Sequence, residues 1–152
     1  MITIRRAEME DIRAILLMGR EMVDASNFAH LGYDVRHFGE YCLYLLTSDN
    51  SVIFLAEQDK EVIGAILCTV APGAASPTLI GYEQAFYVRP ARRSLKAAQM
   101  LIRSYVEWAT DLGAKRICSG NSAGSPDAGY RKLLEREGFD FAGSLMYMNV
   151  KG

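Results

Sequence analysis

Cysteine and histidine are scarce in this chain, and neither occurs in a metal-binding or disulfide-forming pattern. Cys42, Cys68 and Cys118 lie far apart among apolar neighbours, and there are only two histidines. An odd number of scattered cysteines in apolar surroundings is typical of reduced thiols packed in a core. We therefore expect a cytoplasmic protein without a metal site.

An excess of positive charge and long apolar segments are lacking as well. The 17 lysines and arginines face 18 aspartates and glutamates, for a net charge of -1. A nucleic-acid interface needs many cations on one face, so we expect no nucleic-acid partner. Apolar runs such as 62–71 are too short to span a bilayer, and no signal peptide is evident, so we expect no membrane partner.

The chain does have the apolar content of a folded globular protein. Apolar residues make up 50% of its 152 residues and charged residues 23%. This length is typical of one domain, and no repeat, linker or low-complexity stretch divides it. We expect a single domain over residues 1–152.

The spacing of apolar residues predicts a mixture of strands and helices. Strands are predicted at the start of the chain and over 52–57, 62–70, 82–88 and 116–119, with one long or two short strands over 139–150. Helices are predicted over 8–23, after a cap at Asp34, over 95–112, and from Ser125 to Gly138. The resulting order is strand, two helices, three strands, helix, strand, helix, strand, which predicts an α/β domain.

The turn between the fourth strand and the third helix carries the most specific signal. It runs from Tyr87 to Ala98 and reads Tyr-Val-Arg-Pro-Ala-Arg-Arg-Ser-Leu-Lys-Ala-Ala. A helix start presents unpaired backbone N–H groups and the positive end of the helix dipole, so this turn can hold a pyrophosphate. The alternative is a solvated basic turn without a ligand.

This turn and the order of elements resemble the GNAT acetyltransferases. In that family a V-x-P turn is followed by R or Q, two residues, G, one residue, and G or A. Val88 and Pro90 match the turn, Arg93 the basic residue and Ala98 the last small residue, whereas Lys96 replaces the first glycine. The likeness spans nearly the whole chain and is strongest to the short GNAT proteins of tailed bacteriophages and prophages.

The resemblance implies a GNAT fold with a mixed sheet of six or seven strands, splayed between the fourth and fifth strands and flanked by four helices. It also implies acetyl-CoA as co-substrate, with its pyrophosphate held by backbone amides at the helix start. The cofactor-binding residues implied are Phe86, Tyr87, Val88, Arg93, Ser94, Leu95, Lys96, Ala97, Ala98 and Asn121.

Glu83 and Asp24 are the two candidates for the catalytic base. GNAT enzymes often place a glutamate on the fourth strand, where it takes the proton of the amine, and Glu83 is the carboxylate in that strand. In strict alternation Glu83 faces opposite to Phe86 and Val88, so only a bulge would turn it to their side. Asp24, in the loop after the first helix, is a comparable candidate.

Tyr130 is the candidate acid. Many GNAT enzymes use a tyrosine four residues before the glycine of a G-F pair, and that position is Leu134 here. Tyr130 lies one turn earlier on the same helical face, with packing in the core as the alternative role. Ser122 and Ser125 are further possible donors.

We expect the molecule that accepts the acetyl group to bind against the loop from residue 24 to residue 37. Its hydrogen-bonding and aromatic residues are Asp24, Ser26, Asn27, Phe28, His30 and Tyr33. Loops of this kind often carry specificity. The chemistry implied is transfer of an acetyl group to an amine-bearing small molecule or protein.

Two questions stay open from the sequence. Lys96 and Leu134 depart from the family pattern, so the alternative to an enzyme is a weakly active or inactive CoA-binding module that acts as a sensor or a protein-interaction domain. The chain after Gly138 is short for two full strands, so we expect an exposed sheet edge that a homodimer would cover.

Overall fold

A computed structural model describes residues 1–92, 94–120 and 127–151, without the side chains of residues 127 and 128. In these residues one mixed sheet has the order β1-β2-β3-β4-β5. In chain order the elements are β1 (Ile2–Arg6), α1 (Ile12–Asp24), α2 (Val35–Thr47), β2 (Ser51–Gln58), β3 (Glu61–Pro72), β4 (Leu79–Val88), α3 (Leu95–Asp111), β5 (Arg116–Cys118) and α4 (Asp127–Arg136).

The first four strands pair antiparallel, and the last pair is parallel and short. β4 and β5 pair only from Ile80 with Arg116 to Tyr82 with Cys118. β4 continues to Val88 along β3. The two strands therefore part after Tyr82, which is the splay that the resemblance implies.

Helices cover both faces of the sheet, so two apolar cores form. The core under α1 and α2 contains Ile15, Met18, Cys42, Leu45, Ile53, Leu55, Ala65 and Leu67. The core under α3 and α4 includes Leu101, Ile102, Tyr105, Trp108, Leu133 and Leu134. Burial of the Cys42 thiol raises its pKa to about 11, and burial raises the pKa of Cys68 well above its ordinary value. Both cysteines are therefore neutral core residues, as predicted.

The helix ends follow the residues that the sequence offers for capping. Asp34 Oδ1 accepts the backbone N–H of His37 at 2.9 Å at the start of α2. Gly113 and Gly138 have φ angles of 97° and 93° after α3 and α4, in the left-handed region that favours glycine. The predicted stops of these two helices are confirmed.

The prediction of strands over residues 139–150 is wrong. In the described chain these residues form no strand, and the described sheet has five strands instead of six or seven. The Arg131 guanidinium lies 4.2 Å from the centre of the Phe141 ring, so the segment begins against α4 and not along β5. Apolar alternation specifies a strand only where a neighbouring strand accepts its hydrogen bonds and one face is buried.

Gly64 of β3 lies where β4 approaches too closely for a side chain. A Cβ atom at Gly64 would lie 2.8 Å from the Tyr87 carbonyl oxygen and 3.1 Å from Val88 Cγ2. We expect Gly64→Ala to lower the free energy of unfolding by about 1–3 kcal/mol, because a backbone oxygen cannot move aside without opening the strand pair. Urea unfolding followed by circular dichroism measures the change.

Gly39→Ala in α2 is the matched control. A Cβ atom at Gly39 would meet Leu16 at 3.8 Å, which is ordinary van der Waals contact. Because alanine favours a helix interior over glycine by about 0.5–1 kcal/mol, we expect Gly39→Ala to stabilise the protein. A Gly64→Ala protein as stable as the wild type would contradict the close approach.

Candidate active site

A bulge in β4 decides where Glu83 faces. Consecutive residues of β3 pair with Glu83 and with Ala85, so Gln84 is an extra residue in β4. A bulge of one residue reverses the facing of the side chains beyond it. Glu83 and Phe86 consequently lie on the same face, under α3 and α4. β4 therefore contains the bulge that turns Glu83 to the side of Phe86.

Glu83 belongs to a cluster of three oxygens from three different elements. Tyr130 OH of α4 donates to Glu83 Oε1 at 2.8 Å, and Ser119 Oγ, directly after β5, donates to the same oxygen at 2.9 Å. Ser119 Oγ and Tyr130 OH are 2.7 Å apart. The ring of Phe86 lies 5.8 Å from that of Tyr130, between centroids. Glu83 Oε1, Ser119 Oγ and Tyr130 OH are called the three-oxygen cluster below.

The position of Ser119 follows from the parallel register. Tyr82 and Cys118 form the last pair of β4 and β5, so the next residues, Glu83 and Ser119, are neighbours where the strands part. The Tyr105 hydroxyl of α3 donates to the Cys118 carbonyl at 2.7 Å and holds the end of β5 in place. Sequence analysis missed Ser119. The signal was the register of β4 with β5, which a single sequence does not reveal.

Burial raises the pKa of both acidic groups in the cluster, Glu83 and Tyr130. It raises the pKa of the Glu83 carboxyl, although hydrogen bonds from Tyr130, Ser119 and the backbone of Gly120 act in the opposite direction. Burial, together with the Glu83 charge, raises the pKa of Tyr130 well above its ordinary value. A carboxyl with a raised pKa in a cleft is suited to exchange protons near neutral pH.

Asp24, the other predicted base, lies apart from this cluster. It ends α1 with a side chain that is 64% exposed, and its Oδ2 lies 3.8 Å from Arg20 Nε. Of the three predicted catalytic residues, the structure brings Glu83 and Tyr130 together.

The predicted acceptor loop is held largely by its own contacts. Ser26 Oγ donates to the Val23 carbonyl at 2.9 Å and accepts the Phe28 N–H at 3.1 Å. His30 Nδ1 lies 3.2 Å from the Asn27 carbonyl. Phe28 is 43% exposed. These contacts fix the shape of the loop and leave the Phe28 ring at its surface.

Tyr33 joins the loop to both helices of that face. Its hydroxyl donates to the Leu16 carbonyl at 2.7 Å, and its ring meets Phe38 edge-on with centroids 5.9 Å apart. Arg20 lies 5.8 Å from the centre of the Tyr33 ring. Tyr33 therefore forms a fixed wall.

That wall borders an open, mainly apolar cleft with a volume of about 170 Å³. It is lined by Gly19, Met22, Val23, Gly32, Tyr33, Asp34, His37 and Phe38. A second cavity shares Gly19, Met22 and Phe38 with it and reaches Ala85, Phe86 and Tyr87 of β4. The cleft thus leads from the loop to the part of β4 that has left β5. Met22 and Phe38 are lining residues that sequence analysis did not assign.

The gap between β4 and β5 beyond Tyr82 is called the opening below, and α3 begins at Leu95, after the turn that follows β4. Ser94 Oγ accepts the Ala97 N–H at 3.0 Å as the helix cap. The amides of Leu95 and Lys96 belong to the first turn, whose N–H groups have no acceptor within a helix. The side chain of Lys96 is exposed. Ala98 lies just beyond these groups and donates its N–H to the Ser94 carbonyl at 3.3 Å, as in a regular helix.

Two arginines of the basic turn are occupied by carboxylates. Arg92 Nη2 lies 2.9 Å from Glu61 Oε2. Arg89 Nε lies 3.3 Å from Glu21 Oε2, without the alignment of a hydrogen bond. These ion pairs attach the turn to β3 and α1. The predicted cofactor contacts Arg93 and Asn121, and the possible donors Ser122 and Ser125, lie outside the described residues.

The described residues contain neither a metal-binding group of side chains nor a membrane-spanning helix. None of their His, Cys, Asp and Glu side chains form a group of three or more that could hold a metal ion. No helix among them is both long enough and apolar enough to cross a bilayer.

Solved structures with this fold cover the whole chain. A transcriptional regulator from Bacillus halodurans C-125 is 18% identical, covers 99% of this chain and 100% of its own, and has a TM-score of 0.80. Ribosomal-protein-alanine N-acetyltransferase from Brucella melitensis is 18% identical, with coverage of 99% and 100% and a TM-score of 0.73. AAC(6')-Iy, bound to the bisubstrate analogue CoA-S-monomethyl-acetylneamine, is 19% identical, with coverage of 100% and 99% and a TM-score of 0.72.

Identities this low show a shared fold and leave the activity open. No curated protein sequence matches the chain significantly. Residues 17–139 match the model of the acetyltransferase (GNAT) family. That match includes β4, the basic turn, α3 and α4, so the elements that form the cluster and the opening lie within it. The chain belongs to the GNAT acetyltransferase family.

Proposed function

We propose that this chain is an N-acetyltransferase that moves an acetyl group from acetyl-CoA directly to a primary amine. The observation that carries the proposal is the contact between Glu83 and Tyr130, at the place where β4 leaves β5. Direct transfer needs a group that receives the amine proton and one that protonates the departing thiolate. Two such groups in contact beside the opening favour turnover over mere binding.

The cofactor would lie in the opening between β4 and β5. Within the start of α3, from Ser94 to Ala98, the amides of Leu95 and Lys96 would hold the pyrophosphate, because those of Ala97 and Ala98 already donate to Ser94. The exposed Lys96 ammonium would add charge to that site. The backbone of β4 from Phe86 to Val88 would contact the pantetheine arm, as the family resemblance implies. Arg93 and Asn121 complete the proposed set.

Within this arrangement, Glu83 receives the proton of the amine and Tyr130 supplies one to the sulfur. Acetyl-CoA brings the activated thioester. Asp24 remains the second candidate for the base, because it ends α1 beside the acceptor loop. The protein's contribution is to hold the amine within reach of these proton-handling groups, where β4 has left β5.

The acceptor is proposed to be an amine-bearing small molecule or protein that lies in the cleft against the loop of residues 24–37. Relatives of this fold include a ribosomal-protein-alanine acetyltransferase and a protein bound to a CoA conjugate of acetylneamine. Asp24, Ser26, Asn27, Phe28, His30 and Tyr33 are the proposed contacts. We also propose a single domain, a cytoplasmic location and a kinship with the phage-type members.

Binding of acetyl-CoA is the first test. A ligand that binds only the folded state stabilises it, by about 2.7 kcal/mol at a concentration of 100 times its Kd. We expect acetyl-CoA to raise the Tm, and Lys96→Glu to reduce that rise because a carboxylate would repel the pyrophosphate. Lys115→Glu, which changes an exposed lysine beyond the far end of α3, is the matched control. An unchanged Tm, or an equal loss in both variants, would refute the site.

Replacement of the two candidate bases is the second test. We expect Glu83→Gln to lower kcat for acetyl transfer by about 100-fold or more, since it removes a proton-handling group without changing the size of the side chain. We expect Asp24→Asn, at an exposed side chain, to change kcat by less than about threefold. Thiol release with a panel of amines measures both, and the Tm rise with acetyl-CoA checks that each variant still binds the cofactor. Full turnover by Glu83→Gln would assign the base elsewhere.

A homodimer is proposed to cover the C-terminal segment and the edge at β5. Leu145 is 73% exposed, Met146 89%, Met148 85% and Val150 90%, an apolar surface that a second copy would bury. Light scattering should give twice the mass of the chain, and Leu145→Lys with Met148→Lys should restore the monomer. Leu17→Lys, at a residue of α1 that is 56% exposed, should leave the dimer intact. A monomer at every concentration would overturn this proposal.

A further inference from the structure

The oxygens of the three-oxygen cluster form three short contacts, but only two hydrogens are available for them if Glu83 is ionised. Its oxygens lie 2.7, 2.8 and 2.9 Å apart, so each of the three pairs is within hydrogen-bond distance. A serine and a tyrosine hydroxyl each bring one hydrogen, and an ionised carboxylate brings none. One contact would then hold two oxygens together without a hydrogen between them. A protonated Glu83 supplies the third hydrogen: Glu83 then donates to Ser119 instead of accepting from it, Ser119 donates to Tyr130, and Tyr130 donates to Glu83, so each contact holds one hydrogen.

The surroundings of Glu83 also favour the protonated carboxyl. The described titratable groups that interact with it are Tyr130 of α4, Cys68 of β3 and Tyr105 of α3, and burial raises the pKa of each, so that all three are neutral at neutral pH. The Gly120 backbone is the remaining hydrogen-bond partner. Among the described residues no cation pairs with Glu83. A buried carboxyl without a countercharge is more stable in its neutral form.

We propose that Glu83, Ser119 and Tyr130 hold three protons as one unit in the resting protein, and that Ser119 is a positioning residue that passes the Glu83 proton to Tyr130 during acetyl transfer. The proposal rests on the acetyltransferase function above and adds the residue that joins its acid to its base.

The proposed transfer balances within the cluster. As the C–N bond forms and the C–S bond breaks, the electron pair of the C–S bond goes to sulfur. Tyr130 gives its proton to the sulfur, Ser119 gives its proton to Tyr130, and Glu83 gives its proton to Ser119. The Glu83 carboxylate then takes the proton that the amine nitrogen loses. One proton has moved from nitrogen to sulfur, and the cluster has regained its starting state.

The relay removes the main obstacle to Tyr130 as an acid. Burial and the nearby carboxyl raise the pKa of Tyr130, so a tyrosinate at this place is strongly disfavoured. Tyr130 is the donor in its direct contact with Glu83, so the proton that replaces its own arrives through its contact with Ser119. The charge left after proton donation then resides on Glu83, which is the stronger acid of the two.

The resting proton is tested by infrared difference spectroscopy of the protein without ligand at pH 7. We expect the carbonyl band of a protonated carboxylic acid that shifts in heavy water and is absent from Glu83→Gln. If wild type and Glu83→Gln show the same signal in the region of the protonated-acid carbonyl band, Glu83 is ionised and the proposal is wrong. This measurement needs no turnover, so it stands apart from the failure of the acetyltransferase function itself.

The role of Ser119 is tested by turnover. We expect Ser119→Ala to lower kcat by about tenfold to 100-fold, with the KM for acetyl-CoA unchanged, and Ser119→Thr, which keeps the hydroxyl, to stay within about threefold of wild type. The double variant of Ser119→Ala with Tyr130→Phe should be no slower than Tyr130→Phe alone, because both act in one chain of transfer. Unchanged kcat in Ser119→Ala, or losses that multiply in the double variant, would overturn the relay.

The pH profile separates a relay from a structural role. In the wild type, kcat should fall at alkaline pH as the cluster loses its third proton, since a raised pKa means that the proton is held below that pKa and lost above it. Glu83→Gln should lack this decline at its lower rate. Retention of the same alkaline decline in Glu83→Gln would assign the titration to another group and contradict the proposal.

Discussion

The extra residue in β4 is the constraint on which the candidate site depends. Without the bulge at Gln84, Glu83 would point with Ala85 and Tyr87 into the core beneath α1 and α2. A carboxyl in that apolar core would lose its contacts with Tyr130 and Ser119, and an unpaired buried polar group costs several kcal/mol. The bulge sends it to the opposite face, where Tyr130 and Ser119 meet it.

The same strand separates the two halves of the proposed reaction. The apolar cleft reaches β4 from the side of α1 and α2, and the three-oxygen cluster lies on the side of α3 and α4. β4 and β5 cease to pair after Tyr82, so the two sides communicate only beyond that residue. In the proposed function the amine would approach from the side of α1 and α2 and reach Glu83 through this gap.

Local signals in the sequence predicted most elements, and contacts between distant elements could not be predicted. The caps at Asp34 and Gly113 act within one helical turn, and the family turn at Val88 is contiguous, so a single sequence displays them. Ser119 is near Glu83 only because two strands pair in one particular register. Residues 139–150 alternate like a strand, but alternation does not say whether an edge is there to receive them. The sequence indicates Glu83 and Tyr130 as candidate catalytic residues, but it does not show that their side chains are in contact.

The packing of α4 explains why Leu134 stands where many GNAT enzymes have a tyrosine. Leu134 is 9% exposed and packs with Leu133 in the core beneath α3, so a hydroxyl at that position would need a partner inside an apolar layer. Tyr130 lies one turn, about 6 Å, toward the start of the helix on the same face. At that height its hydroxyl meets Ser119 and Glu83 where the strands have parted. The helix therefore presents a hydroxyl one turn away from the usual position, and the three-oxygen cluster provides the partners that a buried tyrosine requires there.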